Sequence, residues 1–206
     1  MSIIYINPYQ FPAQGLQPKF VSWIEAENPT IDQVTSNTIT GTASVTSVTH
    51  GSLTSAWTNG TLAGASIPTI SDVTIWLTGH RTGTGDGGMY WLNSSLGLSL
   101  GTYNGAFWRT AVSSAETNIG KTYNGSVVSV VVRRAASSSS IEVFKDGSFV
   151  ASYANSDGQA ISAGSIASSL SSISFMSTLA VSNEFLTLQE IQYLHNNGNF
   201  RLWANV

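Results

Sequence analysis

The stretch from Ile141 to Tyr153, "IEVFKDGSFVASY", decides the fold class of this 206-residue chain. Its first residues alternate with the period of two that is typical of a β-strand. Asp146-Gly147 follows, a dipeptide that two-residue hairpin turns prefer, and β-favouring residues come after it. The stretch therefore predicts two antiparallel strands joined by a tight turn.

The chain on either side has the same character. The nearly continuous valines of "GSVVSVVVRRA" (125–135) indicate a central strand that is buried on both faces. In "SDVTIWLTGHR" (71–81) one predicted strand face carries Val73, Ile75 and Leu77, and the other carries Thr74, Trp76 and Thr78. Asn59-Gly60 predicts a further hairpin, and two short strands are expected around Asn104-Gly105. The sequence predicts an all-β protein.

One helix is predicted, in "LTLQEIQYLHNNGN" (186–199). Thr187 and Glu190 have the spacing of a capping box at a helix N-terminus, and Gly198 is a typical helix stop. A helical spacing of three residues predicts an apolar face made of Leu188, Ile191 and Leu194. The expected length is about two turns.

Composition excludes several classes of protein. The length and the 42% hydrophobic content suit a single sandwich domain with its own core. The net charge of -3 gives no general attraction to nucleic acid, and no run of about 18 apolar residues predicts a membrane helix. The chain has no cysteine, which excludes disulfides and thiolate chemistry.

Residues 1–19 are expected to form an N-terminal strand or extended arm, followed by one β-sandwich domain over residues 20–206. Pro8 and Pro12 interrupt an alternating start, which favours an extended connection over a continued sheet. The first twenty residues lack the basic and long apolar regions of a secretory signal. We therefore expect synthesis in the cytoplasm.

The order of motifs in the second half resembles the laminin-G-like, or concanavalin A-like, jelly-roll domain. The motifs are the valine-rich strand, the "EVFKDG" hairpin and the final strand that leads into "FLTLQEIQYLHNNG". The stretch "FVSWIEAENPT" resembles the opening strand of such domains in bacteriophage structural proteins. The resemblance implies a sandwich of two antiparallel sheets, with the short helix packed against it.

Folds of this type also host enzymes that cleave glycans with paired carboxylates, so pairs of acidic residues are the candidate catalytic groups. Glu142 and Asp146 lack the glucanase spacing, and Asp146 is explained by the turn. Glu25 and Glu27 share a predicted strand face, but a solvated edge explains them better. We expect no catalytic site and no enzymatic activity.

Metal binding has little support in the sequence. His50, His80 and His195 are far apart and are expected in turns or on the helix surface. Related domains often carry calcium at the sandwich rim, where Asp86 and Asp157 would be the oxygen donors. The chain has no ladder of acids, so the alternative that both are ordinary turn residues is favoured.

Aromatic residues of the middle region are the candidate carbohydrate site. Rings offer flat apolar surfaces on which sugars stack. The candidates are Trp76, Tyr90, Trp91, Tyr103 and Trp108. The alternative for each ring is a place in the core of the sandwich.

Two functions follow from these observations. The resemblance implies a non-enzymatic structural protein of a virus particle, such as a phage capsid decoration, head-fibre or tail component. Its partners would be other virion proteins or further copies of itself, and its location the virion. The alternative is a carbohydrate-binding module that recognises a cell-surface glycan.

Overall fold

A computed structural model of the chain describes most of its backbone. The described residues are 16–82, 89–93, 99–103, 107–112, 115–121, 127–136, 138, 140–154 and 164–206. Within these, side chains are described for all except 65–66, 81, 89–93, 99–103, 107–112, 115–121, 153–154 and 164–168.

Strands dominate the described residues. In chain order they are β1 (Phe20–Glu25), β2 (Thr40–Gly41), β3 (Ser44–His50), β4 (Leu53–Thr58), β5 (Gly60–Ile67), β6 (Val73–Arg81), β7 (Met89–Asn93), β8 (Ser99–Tyr103), β9 (Phe107–Val112), β10 (Ala115–Lys121), β11 (Val128–Arg134), β12 (Ser140–Lys145), β13 (Ser148–Ala154), β14 (Gly164–Leu170) and β15 (Ser174–Ser182). One α-helix, α1 (Leu188–His195), follows the last strand. No helix among the described residues is long and apolar enough to cross a membrane.

Two antiparallel sheets form the sandwich. The first has the order β13-β12-β11-β6-β15-β4-β3, and β1 also pairs with β15. The second has the order β10-β9-β8-β7-β14-β5-β2. Buried side chains of both sheets, among them Ile75, Leu77, Leu62 and Leu170, meet in what we call the inter-sheet core. The predicted sandwich of two antiparallel sheets is confirmed.

The alternation predicted for β6 is confirmed by the two clusters in which its residues lie. Ile75 and Leu77 belong to the inter-sheet core, whereas Trp76 belongs to a second cluster on the outer face of the first sheet. Strand β11 lies between β6 and β12, and its valines also alternate between the inter-sheet core and the second cluster. Val130 faces the inter-sheet core and Val131 the second cluster, so this strand is buried on both faces, as predicted.

The two predicted hairpin turns have different outcomes. Asp146 and Gly147 join β12 to β13 with φ values of 51° and 76°, which confirms that hairpin. Asn59-Gly60 does not form one, because β4 belongs to the first sheet and β5 to the second. The dipeptide turns the chain from one sheet to the other. A Cβ on Gly60 would lie 2.5 Å from the backbone nitrogen of Ala43, so a close backbone approach requires this glycine.

Helix α1 begins at the predicted capping box. The Thr187 hydroxyl accepts a hydrogen bond from the Glu190 backbone N–H, and the Glu190 carboxylate accepts one from the Thr187 backbone N–H. The helix ends at His195 and is capped by Asn196 in the left-handed conformation, two residues before the predicted stop at Gly198. Leu188, the first residue of the helix, is 44% exposed, so its predicted place on the buried apolar face was wrong, whereas Ile191 and Leu194 in the later turns are buried.

The helix and the C-terminal residues cover the outer face of the first sheet. Ile191 and Leu194 are buried there with Trp23, Trp76 and other members of the second cluster, which we call the outer cluster. Its remaining buried members are Leu16, Phe20, Leu53, Val127, Val131, Phe144, Ala180, Leu186, Tyr193, Phe200 and Val206. The first sheet therefore has apolar packing on both faces, and the helix supplies the packing on one of them.

Candidate functional site

Trp76 does not belong to a carbohydrate site. Its side chain is fully buried in the outer cluster, where its ring centroid lies 5.1 Å from that of Trp23. The indole Nε1–H donates to the hydroxyl of Ser129 at 2.9 Å. The prediction was wrong because α1 and the C-terminal residues cover a sheet face that an isolated sandwich would leave open to solvent.

The other four candidate rings lie on three neighbouring strands of the second sheet. Tyr90 and Trp91 are on β7, Tyr103 is on β8 and Trp108 is on β9. The three strands pair in the order β7-β8-β9. The backbone therefore brings the four positions together, while their side chains lie outside the described residues.

Strand register separates these four positions into two sets. Tyr90 pairs with Gly101, two residues before Tyr103. Trp91 pairs with Leu100, whose strand then pairs Thr102 with Trp108. Paired residues share a sheet face and successive residues alternate, so Tyr90 and Tyr103 form one set. The positions of Trp91 and Trp108 form the other.

The calcium prediction stays a prediction. Asp86 and Asp157 both lie outside the described residues. Within the part of the chain that the structure describes, no group of three or more His, Cys, Asp or Glu residues is placed to hold a metal ion.

The carboxylates of Glu25 and Glu27 accept hydrogen bonds from other groups of the fold. Glu25 is buried and accepts hydrogen bonds from the Trp23 Nε1–H at 3.0 Å and the Trp203 backbone N–H at 2.9 Å. Glu27 accepts from the backbone N–H groups of Thr54 and Ser55. The expectation of a solvated edge was wrong for Glu25, because the C-terminal residues cover it.

Glu142 and Asp146 also have structural partners. The guanidinium of Arg133 donates from Nε and Nη2 to one carboxylate oxygen of Glu142, at 2.7 and 2.6 Å. The carboxylate of Asp146 accepts from the backbone N–H of Ser129 at 3.0 Å, which fixes the hairpin against β11. All four acidic candidates therefore have direct partners in the fold.

The histidines are closer together than the sequence suggested. The rings of His50 and His195 lie 5.4 and 5.5 Å from that of Phe200, and the ring of His80 stacks on Phe175 at 4.6 Å. Burial lowers the pKa of His80, and the charge of His50 lowers it further. Burial also lowers the pKa of His195, although Asp146 acts in the opposite direction. His195 is buried, so its expected place on the helix surface was wrong.

An aromatic and cationic cluster was missed in the sequence. The guanidinium carbon of Arg133 lies 4.6 Å from the ring centroid of Phe144 and 4.1 Å from that of Phe185. Phe149 packs against Phe144 at 5.5 Å and remains 55% exposed on the edge strand β13. The exposed phenylalanine lies two residues after the Asp146-Gly147 turn, and that position was the available signal.

Comparisons with known proteins identify the fold. No protein-family model and no curated protein matches the sequence. Among solved structures, the chain resembles botulinum neurotoxin type C, whose cell entry is described as dependent on two ganglioside molecules. The TM-score is 0.68 at 11% identity, over 89% of this chain and 52% of that one.

Two further structures agree with this result. The binding domain of botulinum neurotoxin DC, in complex with rat synaptotagmin II, matches with a TM-score of 0.66 at 11% identity, over 88% of this chain and 52% of that one. The Trypanosoma rangeli sialidase in complex with 2,3-difluorosialic acid matches with a TM-score of 0.61 at 14% identity, over 86% of this chain and 33% of that one. The chain spans about half the length of the toxin chains. The protein therefore has the predicted fold, a jelly-roll sandwich of two antiparallel sheets with one short C-terminal helix.

Proposed function

We propose that this protein is a glycan-binding module, and that strands β7, β8 and β9 form its binding surface. The observation that carries the proposal is the register of these strands, which gathers four ring-bearing positions on neighbouring strands of the second sheet. Two structural neighbours support the proposal, since one is a toxin whose cell entry depends on two ganglioside molecules and the other is a sialidase in complex with a sialic acid derivative.

Register assigns the two sets of rings to different faces. Trp91 pairs with Ser168, and Ser168 pairs with Leu62, whose side chain lies in the inter-sheet core. Since paired residues share a face, we assign the positions of Trp91 and Trp108 to the core-facing set. Tyr90 and Tyr103 then belong to the outward set and form the proposed binding surface.

The outward set includes more than rings. Gly101 pairs with Tyr90 on one side and with Arg109 on the other, and Arg109 pairs with Asn118. This row places an aromatic, a glycine, a cationic and an amide position side by side across β7, β8, β9 and β10. Such a combination suits a sugar that carries a carboxylate, because arginine binds carboxylates through paired hydrogen bonds.

A glycan array with the purified protein tests the proposal. We expect binding that Tyr90→Ala or Tyr103→Ala weakens at least tenfold without lowering thermal stability, because stacking rings contribute to affinity and not to the core. Phe149→Ala is the matched control, since this ring is exposed on the first sheet and should leave binding unchanged. No binding to any glycan at millimolar concentration would overturn the proposal.

Assembly into a virus particle and location in a virion stay predictions, and neither the structure nor the comparisons concern them. A glycan-binding surface is compatible with both, as on the exterior of a particle. Light scattering after size exclusion tests the oligomer expected for that role. A stable dimer or trimer supports it, and a monomer at all concentrations counts against it.

A further inference from the structure

Four polar side chains form one row across the middle of the first sheet. Glu25 on β1 pairs with Thr178 on β15, Thr178 with Thr78 on β6, and Thr78 with Ser129 on β11. Each of the four is more than nine-tenths buried. A buried polar row in a sheet whose other positions are mostly apolar needs a hydrogen-bond partner for every member.

The two ends of the row have such partners. The carboxylate of Glu25 accepts from the indole of Trp23, and the hydroxyl of Ser129 accepts from the indole of Trp76. The two tryptophan indoles thus supply the hydrogen-bond partners of Glu25 and Ser129, the residues at the two ends of the row.

The two middle members have none. The Oγ1 atoms of Thr78 and Thr178 are buried without a hydrogen-bond partner. The hydroxyl of Ser177, which precedes Thr178 on β15, is buried without a partner as well. The register shifts at this point, between Met176 and Thr178, so Ser177 is the extra residue of a β-bulge. Three buried hydroxyls without partners, on the paired Thr78 and Thr178 and on Ser177 next to Thr178, lower the small net stability of a folded domain.

The spacing suits a bridging molecule. Paired residues on adjacent strands have Cβ atoms about 5 Å apart. Two hydrogen bonds of about 2.8 Å to one water oxygen span a gap of this size. Internal waters in proteins typically make about three hydrogen bonds to buried polar groups that lack other partners.

We propose that the hydroxyls of Thr78 and Thr178 bind an ordered internal water, with the hydroxyl of Ser177 as its third partner. The site takes a small neutral molecule that both donates and accepts hydrogen bonds. By linking β6 to β15 beside the bulge, the water holds the two central strands of the first sheet in register where the direct ladder is interrupted.

A high-resolution crystal structure and three valine variants test this site. Valine has nearly the shape of threonine without its hydroxyl. We expect density within hydrogen-bond distance of both Oγ1 atoms. Thr78→Val and Thr178→Val should each lower the midpoint of denaturant unfolding, and the double variant should lower it by clearly less than the sum, since both singles release the same water.

Thr74→Val is the matched control on the same strand face. The Thr74 hydroxyl donates to the carbonyl of Glu184 at 2.8 Å and accepts from the Leu186 backbone N–H at 3.0 Å, so it needs no water. Its effect should add to that of Thr178→Val. Absence of density, single variants that raise the midpoint, or an additive Thr78→Val/Thr178→Val pair would each overturn the proposal.

Discussion

The indole N–H of Trp76 on β6 donates to the hydroxyl of Ser129 on β11 at 2.9 Å, inside the outer cluster. Both residues are buried, so the pair fixes the orientation of a large ring without any contribution from solvent. A tryptophan in this setting supports the fold and offers no surface to a sugar.

Ser129→Ala should therefore destabilise the protein by about 1–3 kcal/mol, because it leaves a buried indole N–H without a partner. Trp76→Phe removes that donor, so the double variant should cost clearly less than the two single changes together. Denaturant unfolding of the four proteins measures the coupling. Additive single changes would show that the bond contributes nothing to stability.

The packing of helix α1 on the first sheet can be tested with two of its apolar residues, which differ in burial. Ile191 is fully buried in the outer cluster, and Leu188 is 44% exposed. Ile191→Ala should cost about 2–5 kcal/mol, the usual range for emptying a packed site. Leu188→Ala on the same helix is the matched control and should change stability by less than about 0.5 kcal/mol. Equal effects, measured by thermal unfolding, would contradict the packing of the helix on the sheet.

Local signals in the sequence predicted most of the fold, and non-local contacts explain the failures. The hairpin at Asp146-Gly147 and the capping box at Thr187 depend on residues within a few positions, so they were predicted correctly. The role of Asn59-Gly60 depends on residues 42–43, which approach from another part of the chain.

The candidate site was less accessible to sequence reasoning for the same reason. Burial of Trp76 depends on the residues after β15, and the alternation of a strand alone does not show which face another segment covers. The partners of Glu25 come from Trp23 nearby and Trp203 almost the whole chain away. The strands β7, β8 and β9 follow one another in the chain and pair antiparallel in the same order, so their adjacency could have been predicted from the sequence.

Stability should fall as the solution becomes acidic. Burial lowers the pKa of His80 and of His195 below the ordinary value of 6.5. The unfolded chain then binds more protons than the folded one as the pH drops through 6.5, so protonation favours unfolding. The stability that the two neutral histidines provide is therefore fully present above pH 6.5. It is lost as the pH falls from 6.5 to the lowered pKa values of the folded state.

Denaturant unfolding between pH 7.5 and pH 5 measures this effect. The His80→Gln/His195→Gln variant should lose less stability over this range than the unmodified protein. His50→Gln is the control and should keep most of the fall, since burial, the larger cause at His80, is unchanged. The same pH dependence in all three proteins would show that these two rings do not titrate differently on unfolding.

Arg109 gives the sharpest test of which glycan the protein binds. Its position pairs with Gly101 and Asn118, in the row that begins at Tyr90. If the ligand carries a carboxylate, Arg109→Gln should weaken binding of a sialylated glycan at least tenfold and leave the asialo form nearly unchanged, since only the charged partner loses a paired hydrogen bond. Isothermal titration with matched sialylated and asialo oligosaccharides measures both affinities.

Arg201→Gln is the matched control, because it removes one cationic charge at the C-terminal end of the chain, where the guanidinium lies over the Tyr193 ring at 4.3 Å. The same loss in both variants would indicate a general effect of net charge. If Arg109→Gln weakened the binding of both glycans equally, the arginine would contact the sugar without binding its carboxylate. If Arg109→Gln left binding unchanged while Tyr90→Ala weakened it, the glycan site would still lie on these strands. Its ligand would then not be a sugar that carries a carboxylate.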